Sequence, residues 1–169
     1  MAKREAYWKS HSIICEKGRK TMKDQFNLLP LDDDLLETCV DLFIETFSLA
    51  PWNDVYESRD QVAAFFKRHM NNNYFLGYAL KLNEEIVALS IGFQKPWIKG
   101  MEYYIDEFCV KDTIQHKGIG SQFLALIEAD IKDKQLNAIL LNTNKGFPAE
   151  RFYLKNGFEP LADIVVLAK

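Results

Sequence analysis

Apolar and polar residues recur along this chain at helix spacing in some stretches and at strand spacing in others. Phe26-Asn27-Leu28-Leu29-Pro30-Leu31 reads as a short strand. Leu35, Leu36, Cys39, Val40, Phe43 and Phe47 then recur on one helix face, with Asp32 to Asp34 as N-cap candidates and Pro51 as a stop. A second helix carries Val62, Phe65, Phe66 and Met70. Ser58 and Gln61 form a capping box at its start, and Asn71-Asn72-Asn73 breaks it. Tyr74–Leu82 and Glu85–Gln94 read as strands joined by the tight turn Asn83-Glu84. Pro96 to Gly100 reads as a loop, followed by the aromatic-rich strand Met101–Val110. A third helix begins near Gly118 and shows Ile119, Phe123, Leu126, Ile127 and Ile131 on one side. Ala138–Leu141 is a buried strand, and Pro148 suits the first position of a fourth helix. Asn156-Gly157 closes that helix with a left-handed cap, and Phe158 stands where the cap's hydrophobic contact belongs. Ile164–Leu167 predicts a final strand. The order βααβββαβαβ predicts an α/β (α+β) fold with a mixed sheet and helices on its faces.

Composition narrows the function classes. At 169 residues, 48% of them hydrophobic, the chain has material for one domain with a sizeable core. No run approaches the ~20 apolar residues of a membrane span. Met1 to Ser10 lack the apolar stretch of a secretory signal. Cys15, Cys39 and Cys109 are odd in number and scattered, so neither a disulfide framework nor a metal site is expected, and a cytoplasmic setting fits best. The net charge is −3, yet residues 1–21 hold six Lys or Arg against two acids, so the remainder is acidic. An acidic body argues against nucleic acid as the main partner, because phosphate neutralisation dominates that affinity, and it is compatible with a cationic substrate. Residues 1–21 show no clean period. They read as a basic extension to a domain over 22–169, with Met22 the expected natural start.

The segment Gln115-His116-Lys117-Gly118-Ile119-Gly120 follows a strand and opens a helix. Glycines there let backbone N–H groups converge at a helix start, which favours a phosphate anion, and Lys117 adds a cation. It is neither a Walker A loop nor the dinucleotide fingerprint, whose third glycine position is here Phe123.

With Phe108-Cys109-Val110 ahead of it, this run resembles motif A of the GNAT acyltransferase superfamily: a strand ending in Val, then Gln/Arg-x-x-Gly-x-Gly/Ala. Ala149-Glu150-Arg151-Phe152-Tyr153-Leu154-Lys155-Asn156-Gly157-Phe158 is similar to motif B. The resemblance covers residues 22–169. It implies strands splayed around acetyl-CoA, the acyl donor. The strand end Phe108-Cys109-Val110, through the backbone of Phe108 and Val110, would pair with the pantetheine arm. The amides of Gln115, His116, Lys117, Gly118, Ile119, Gly120 and Ser121 would cradle the pyrophosphate, and Tyr153 would sit near the sulfur. Where such proteins often carry a pantetheine-binding Asn, this chain has Gly146, and Asn144 or Asn142 is the available substitute. Homodimers are common among similar proteins.

Acyl transfer to an amine sets further demands. An ammonium of pKa ~10.4 costs ~4.6 kcal/mol to hold neutral at pH 7, so a base is required. Tyr153 is the right type to protonate the leaving thiolate. For the base, Glu107 is preferred over its neighbour Asp106. Strict alternation puts Glu107 with Tyr103, Ile105 and Cys109, and Asp106 with Tyr104, Phe108 and Val110, unless a bulge re-aims one of them. His69, beside Lys67 and Arg68, reads as solvent-facing. Trp52, Tyr56, Trp97, Tyr103 and Tyr104 are candidate aromatic walls for an ammonium. The expected function is N-acetylation of a primary amine on a small cationic molecule. A protein N-terminal or lysine acetyltransferase and a non-catalytic acyl-CoA-binding module are the alternatives.

Overall fold

The computed structural model describes residues 26–169; the basic extension 1–21, with Cys15, and the proposed start Met22 lie outside the described residues. Five strands form one sheet in chain order: β1 (Phe26–Pro30), β2 (Phe75–Leu82), β3 (Glu85–Trp97), β4 (Gly100–Val110) and β5 (Ile139–Leu141). β1 to β4 are antiparallel neighbours, and β5 runs parallel to β4. Helices α1 (Leu36–Phe47) and α2 (Arg59–Met70) cover one face. Helix α3 (Ile119–Asp133), with Phe152 of α4 (Pro148–Lys155), covers the other. This is the mixed, helix-flanked sheet that the hydrophobic pattern predicts.

Local chemistry explains the element ends. Leu82 pairs with Glu85, so Asn83-Glu84 is a two-residue turn, and Asn83 takes the left-handed φ of 55° that such turns require. Ser58 Oγ accepts the Gln61 N–H at 3.2 Å, while the Gln61 side chain reaches back to the Glu57 N–H at 2.9 Å. The reciprocal bond of the box is thus shifted by one residue. Asp32 Oδ1 accepts from the N–H groups of Asp34 and Leu35 at 3.1 and 3.3 Å, capping the turn ahead of α1.

Two expectations are corrected. The loop expected at Pro96 to Gly100 is mostly strand: Pro96 pairs with Met101 and only Ile98-Lys99 turn the chain. Beyond Phe93, β3 has lost its β2 ladder partner, and a strand with one neighbour tolerates a residue without an N–H. The final strand expected at Ile164–Leu167 is not formed, and Val166 and Leu167 stay 76% and 86% exposed. Strand propensity acts through packing against neighbours, and this run has no strand beside it.

Candidate active site

The site depends on an irregularity in β4. Tyr103 and Ile105 pack with α3, and strict alternation sends Glu107 and Cys109 to the same side. Instead Phe108 and Val110 join that cluster, and Cys109 packs with α1 and α2. The register shows the cause. Gly92 pairs with Ile105 and Ile91 with Glu107, so Asp106 is one residue in excess, a β-bulge. The faces expected from alternation are therefore exchanged beyond Ile105. Glu107 departs from Tyr103 and Ile105, and Asp106 departs from Phe108 and Val110.

The same shift sets the backbone. The Lys111 N–H donates to the Val87 carbonyl at 2.8 Å, so by ladder alternation Cys109 and Glu107 also bond toward β3. Phe108 and Val110 then present their backbone groups to the opposite edge. The Val110 carbonyl does so, accepting from Gln115 Nε2 at 2.9 Å. β5 pairs with β4 only at Tyr103, Tyr104 and Ile105, so the two strands part where Phe108 and Val110 face outward. The Phe108 ring stacks with Phe123 and Phe152 at 5.2 and 5.6 Å.

Acids gather on the α1/α2 side of the bulge. Asp106 Oδ2 lies 3.6 Å from His69 Nδ1. Burial, then the charges of Asp106 and Asp54, push the Glu107 carboxyl up to about 7. Burial also raises Asp106, against the pull of His69. Burial lowers His69, against Asp106, and Arg68 adds to the lowering. The Tyr56 hydroxyl donates to Asp54 Oδ2 at 3.3 Å, and Tyr56 in turn feels the charge of Glu107. The connection between α1 and α2 thus brings Asp54 and Tyr56 to the bulge.

Across β4, Tyr153 is buried with its ring 6.2 Å from Phe108. Burial first, then the charges of Glu107 and Cys109, push the phenol up, which keeps its proton in place. At the turn before α3, Gly118 adopts φ 82°, no atom lies within 4 Å of a Cβ built there, and no side chain caps the helix. Gly120 serves packing: its Cβ would lie 3.1 Å from Phe152 and 3.5 Å from Val110. Ile119 is buried and Ser121 half-buried at the helix start. His116, at φ 60°, is exposed, and Lys117 Nζ donates to the Thr113 carbonyl at 3.1 Å.

Other predicted residues fall elsewhere. Tyr103 is fully buried on the α3 side, its hydroxyl 2.9 Å from Ser90 Oγ, and is a core residue rather than an acceptor wall. Tyr104 is half-buried, its hydroxyl accepting from Asn142 Nδ2 at 2.6 Å, which commits the Asn142 amide. Asn144 is exposed in the loop before α4. Trp52 packs edge-on against Phe47 at 5.3 Å. Trp97 sits at the far hairpin, 41% exposed. The sequence reading missed Asp54 and misplaced His69. His69 is partly covered and lies edge-on to Phe65, 4.6 Å away. Its position four residues after Phe65, on the helix's apolar stripe, was the available signal.

The profile of the Acetyltransferase (GNAT) family matches residues 36–158. The chain belongs to the GNAT acetyltransferase family. It is accordingly an acetyl-CoA-dependent acetyltransferase. Solved structures share the GNAT fold at low identity. The aminoglycoside N-acetyltransferase AAC(6')-Iy in complex with CoA superposes with a TM-score of 0.66 at 11% identity, over 85% of this chain and 94% of that one. An integron cassette protein from V. cholerae gives 0.72 at 15%, over 86% and 92%. An aminoglycoside acetyltransferase from an uncultured soil metagenomic sample, in complex with sisomicin, gives 0.64 at 17%, over 86% and 95%. A sequence search of the curated proteins finds no match. Among the described residues of this GNAT protein, no helix is long and apolar enough to cross a membrane.

Proposed function

We propose that this GNAT enzyme transfers acetyl directly from acetyl-CoA to a primary amine of a small cationic molecule, with Glu107 as general base and Tyr153 as general acid. The observation that carries this reading is the bulge at Asp106, which turns Glu107 toward Asp54 and Tyr56 while its charge still reaches Tyr153. A carboxyl near 7 is half ionised at neutral pH and suited to taking a proton from an ammonium. Asp54 and Asp106 draw the ammonium to it.

The donor's groups find matching chemistry along β4 and α3. The outward backbone of Phe108 and the Val110 N–H suit the pantetheine amides and the thioester carbonyl, where a backbone N–H stabilises developing negative charge. Gln115 occupies the Val110 carbonyl. Uncapped amides from Gly118 to Ser121, next to a glycine with no side chain to intrude, suit the pyrophosphate. The Tyr153 phenol hands its proton to the leaving sulfur and is restored by the proton that the nitrogen sheds as the amide forms. The low-polarity surroundings that raise the phenol raise a thiolate there too, so the transfer stays matched.

The cationic acceptor is supported by a groove of about 710 Å³ lined in part by Glu45, Asp54 and Tyr56, of which Asp54 also acts on Glu107. Its lining cation, Arg59, is already tied to Glu37 at 2.6 Å and Asp41 at 2.7 Å. The test is thiol release from acetyl-CoA with ethylenediamine, spermidine, neamine and a lysine-containing peptide as acceptors. The small cations are expected to give the highest kcat/KM. A preference for the peptide overturns the acceptor class, and acetyl-CoA binding with no amine-dependent thiol release overturns the roles of Glu107 and Tyr153.

A further inference from the structure

Each turnover of such a reaction converts an ammonium and a thioester into an amide, a thiol and one proton. The nitrogen gives up two protons, of which one ends on the sulfur and one must reach solvent. That second proton is received by Glu107, on the reading given above. Glu107 is half-buried, so the base needs an exit for what it collects.

A small recess lies beside the bulge on the α2 side. It has a volume of about 280 Å³, opens to solvent, and is lined by Phe65, Arg68, His69, Asn72, Phe93 and Asp106. Asp106, the extra residue of the bulge, is the immediate neighbour of Glu107, and its charge helps to raise the Glu107 carboxyl. On its other side is the His69 imidazole, with Nδ1 3.6 Å from Oδ2 and the ring held against the Phe65 edge. Closing that gap to bonding distance takes a shift of about 0.8 Å. Asp106 and His69 both line the recess, and Asp106 adjoins Glu107 in the chain, so the pair connects the base to the recess.

We propose that His69, acting through Asp106, is the proton exit of the catalytic base. His69 is a positioning and relay residue and does not touch the amine. The inference rests on the assignment of Glu107 as base. In the sequence of events, the amine proton passes to the Glu107 carboxylate and on to Asp106. Imidazole Nδ1 then accepts it, and the protonated ring releases a proton to solvent in the recess, returning to the neutral form. No electrons are transferred and no co-reactant is consumed. Histidine suits the last station because its free-solution pKa lies within reach of neutral pH. The charged groups that act on it are Asp106 from β4 and Arg68 from its own helix; β3 contributes the apolar Phe93. Burial and Arg68 favour the neutral ring over the pull of Asp106, so a proton that the ring accepts is readily released.

The test is chemical rescue, with spermidine and neamine as probe acceptors. His69→Ala is expected to lower kcat by about tenfold with the KM for acetyl-CoA unchanged. Added imidazole, for which the enlarged recess has room, is expected to restore kcat in proportion to its concentration. Imidazole should do nothing for the double variant His69→Ala/Asp106→Asn. His69→Gln fills the space without carrying a proton and should match the unrescued loss. A full kcat in both His69 variants, or a loss that imidazole does not relieve, overturns the relay. An independent readout needs no acceptor: the NMR titration midpoint of His69 should fall in Asp106→Asn, and an unmoved midpoint also overturns it. Glu107→Gln separates the two levels. If that variant keeps full activity, the base assignment is wrong. If it is impaired while the His69 variants are not, only the relay fails.

Discussion

The Phe158 N–H donates to the Tyr153 carbonyl at 3.1 Å, and the two rings lie 5.2 Å apart. With the Gly157 N–H bonded to the Leu154 carbonyl at 3.2 Å and Gly157 at φ 86°, this is a Schellman ending complete with its hydrophobic contact. The turn that stops α4 therefore also fixes the aromatic ring that bears the proposed acid.

Tyr153→Phe keeps the ring in that contact and removes only the hydroxyl. The expected result is a fall in kcat of about 10²-fold or more, with acetyl-CoA affinity by calorimetry unchanged. A kcat equal to wild type removes the phenol from the chemistry.

Glu107→Gln should slow turnover and abolish the acid limb of the pH–rate profile near pH 7. It should also stabilise the fold at alkaline pH. The folded carboxyl binds its proton more tightly than the unfolded one, so wild-type stability declines as pH rises from the ordinary 4.5 through about 7. The deficit reaches at most about 3 kcal/mol. Thermal melts should place the variant above wild type at pH 8 and level with it at pH 4.

Asp106→Asn removes a negative charge that raises Glu107, so the acid limb should move to lower pH, by less than Glu107→Gln alters the profile. Movement to higher pH contradicts the charge coupling.

The two motif glycines should respond differently. Gly118→Ala places a side chain at φ 82° in open space, costing about 1 kcal/mol in backbone strain alone. Gly120→Glu drives a charged side chain into Phe152 and Val110, where a Cβ already meets a ring at 3.1 Å. It should abolish acetyl-CoA binding, and an unchanged calorimetric affinity counts against the placement of the pyrophosphate at this turn.

Much of the scaffold was legible because local rules and packing agree. The hairpin at Asn83, the cap at Ser58 and the Gly157 ending each rest on a residue type that the local backbone demands. The extended hairpin through Pro96 was hidden, since a proline is a breaker in a central strand and harmless where one neighbour is missing. Ile164–Leu167 misled for the opposite reason, having the right residues and no partner. In the candidate site, the motifs pointed to Gly118 and Tyr153 as the residues proposed here, but the direction of Glu107 depended on a pairing register set by β3, a non-local fact. Asp54 and His69 come from other elements, and no spacing within β4 reveals them.

Deleting Asp106 would leave a ladder without a kink and every remaining side chain of β4 on its present side. The ladder offers this amino acid no partner; the proposed chemistry gives it a use. On that proposal the length of one strand, as much as its composition, encodes the reaction.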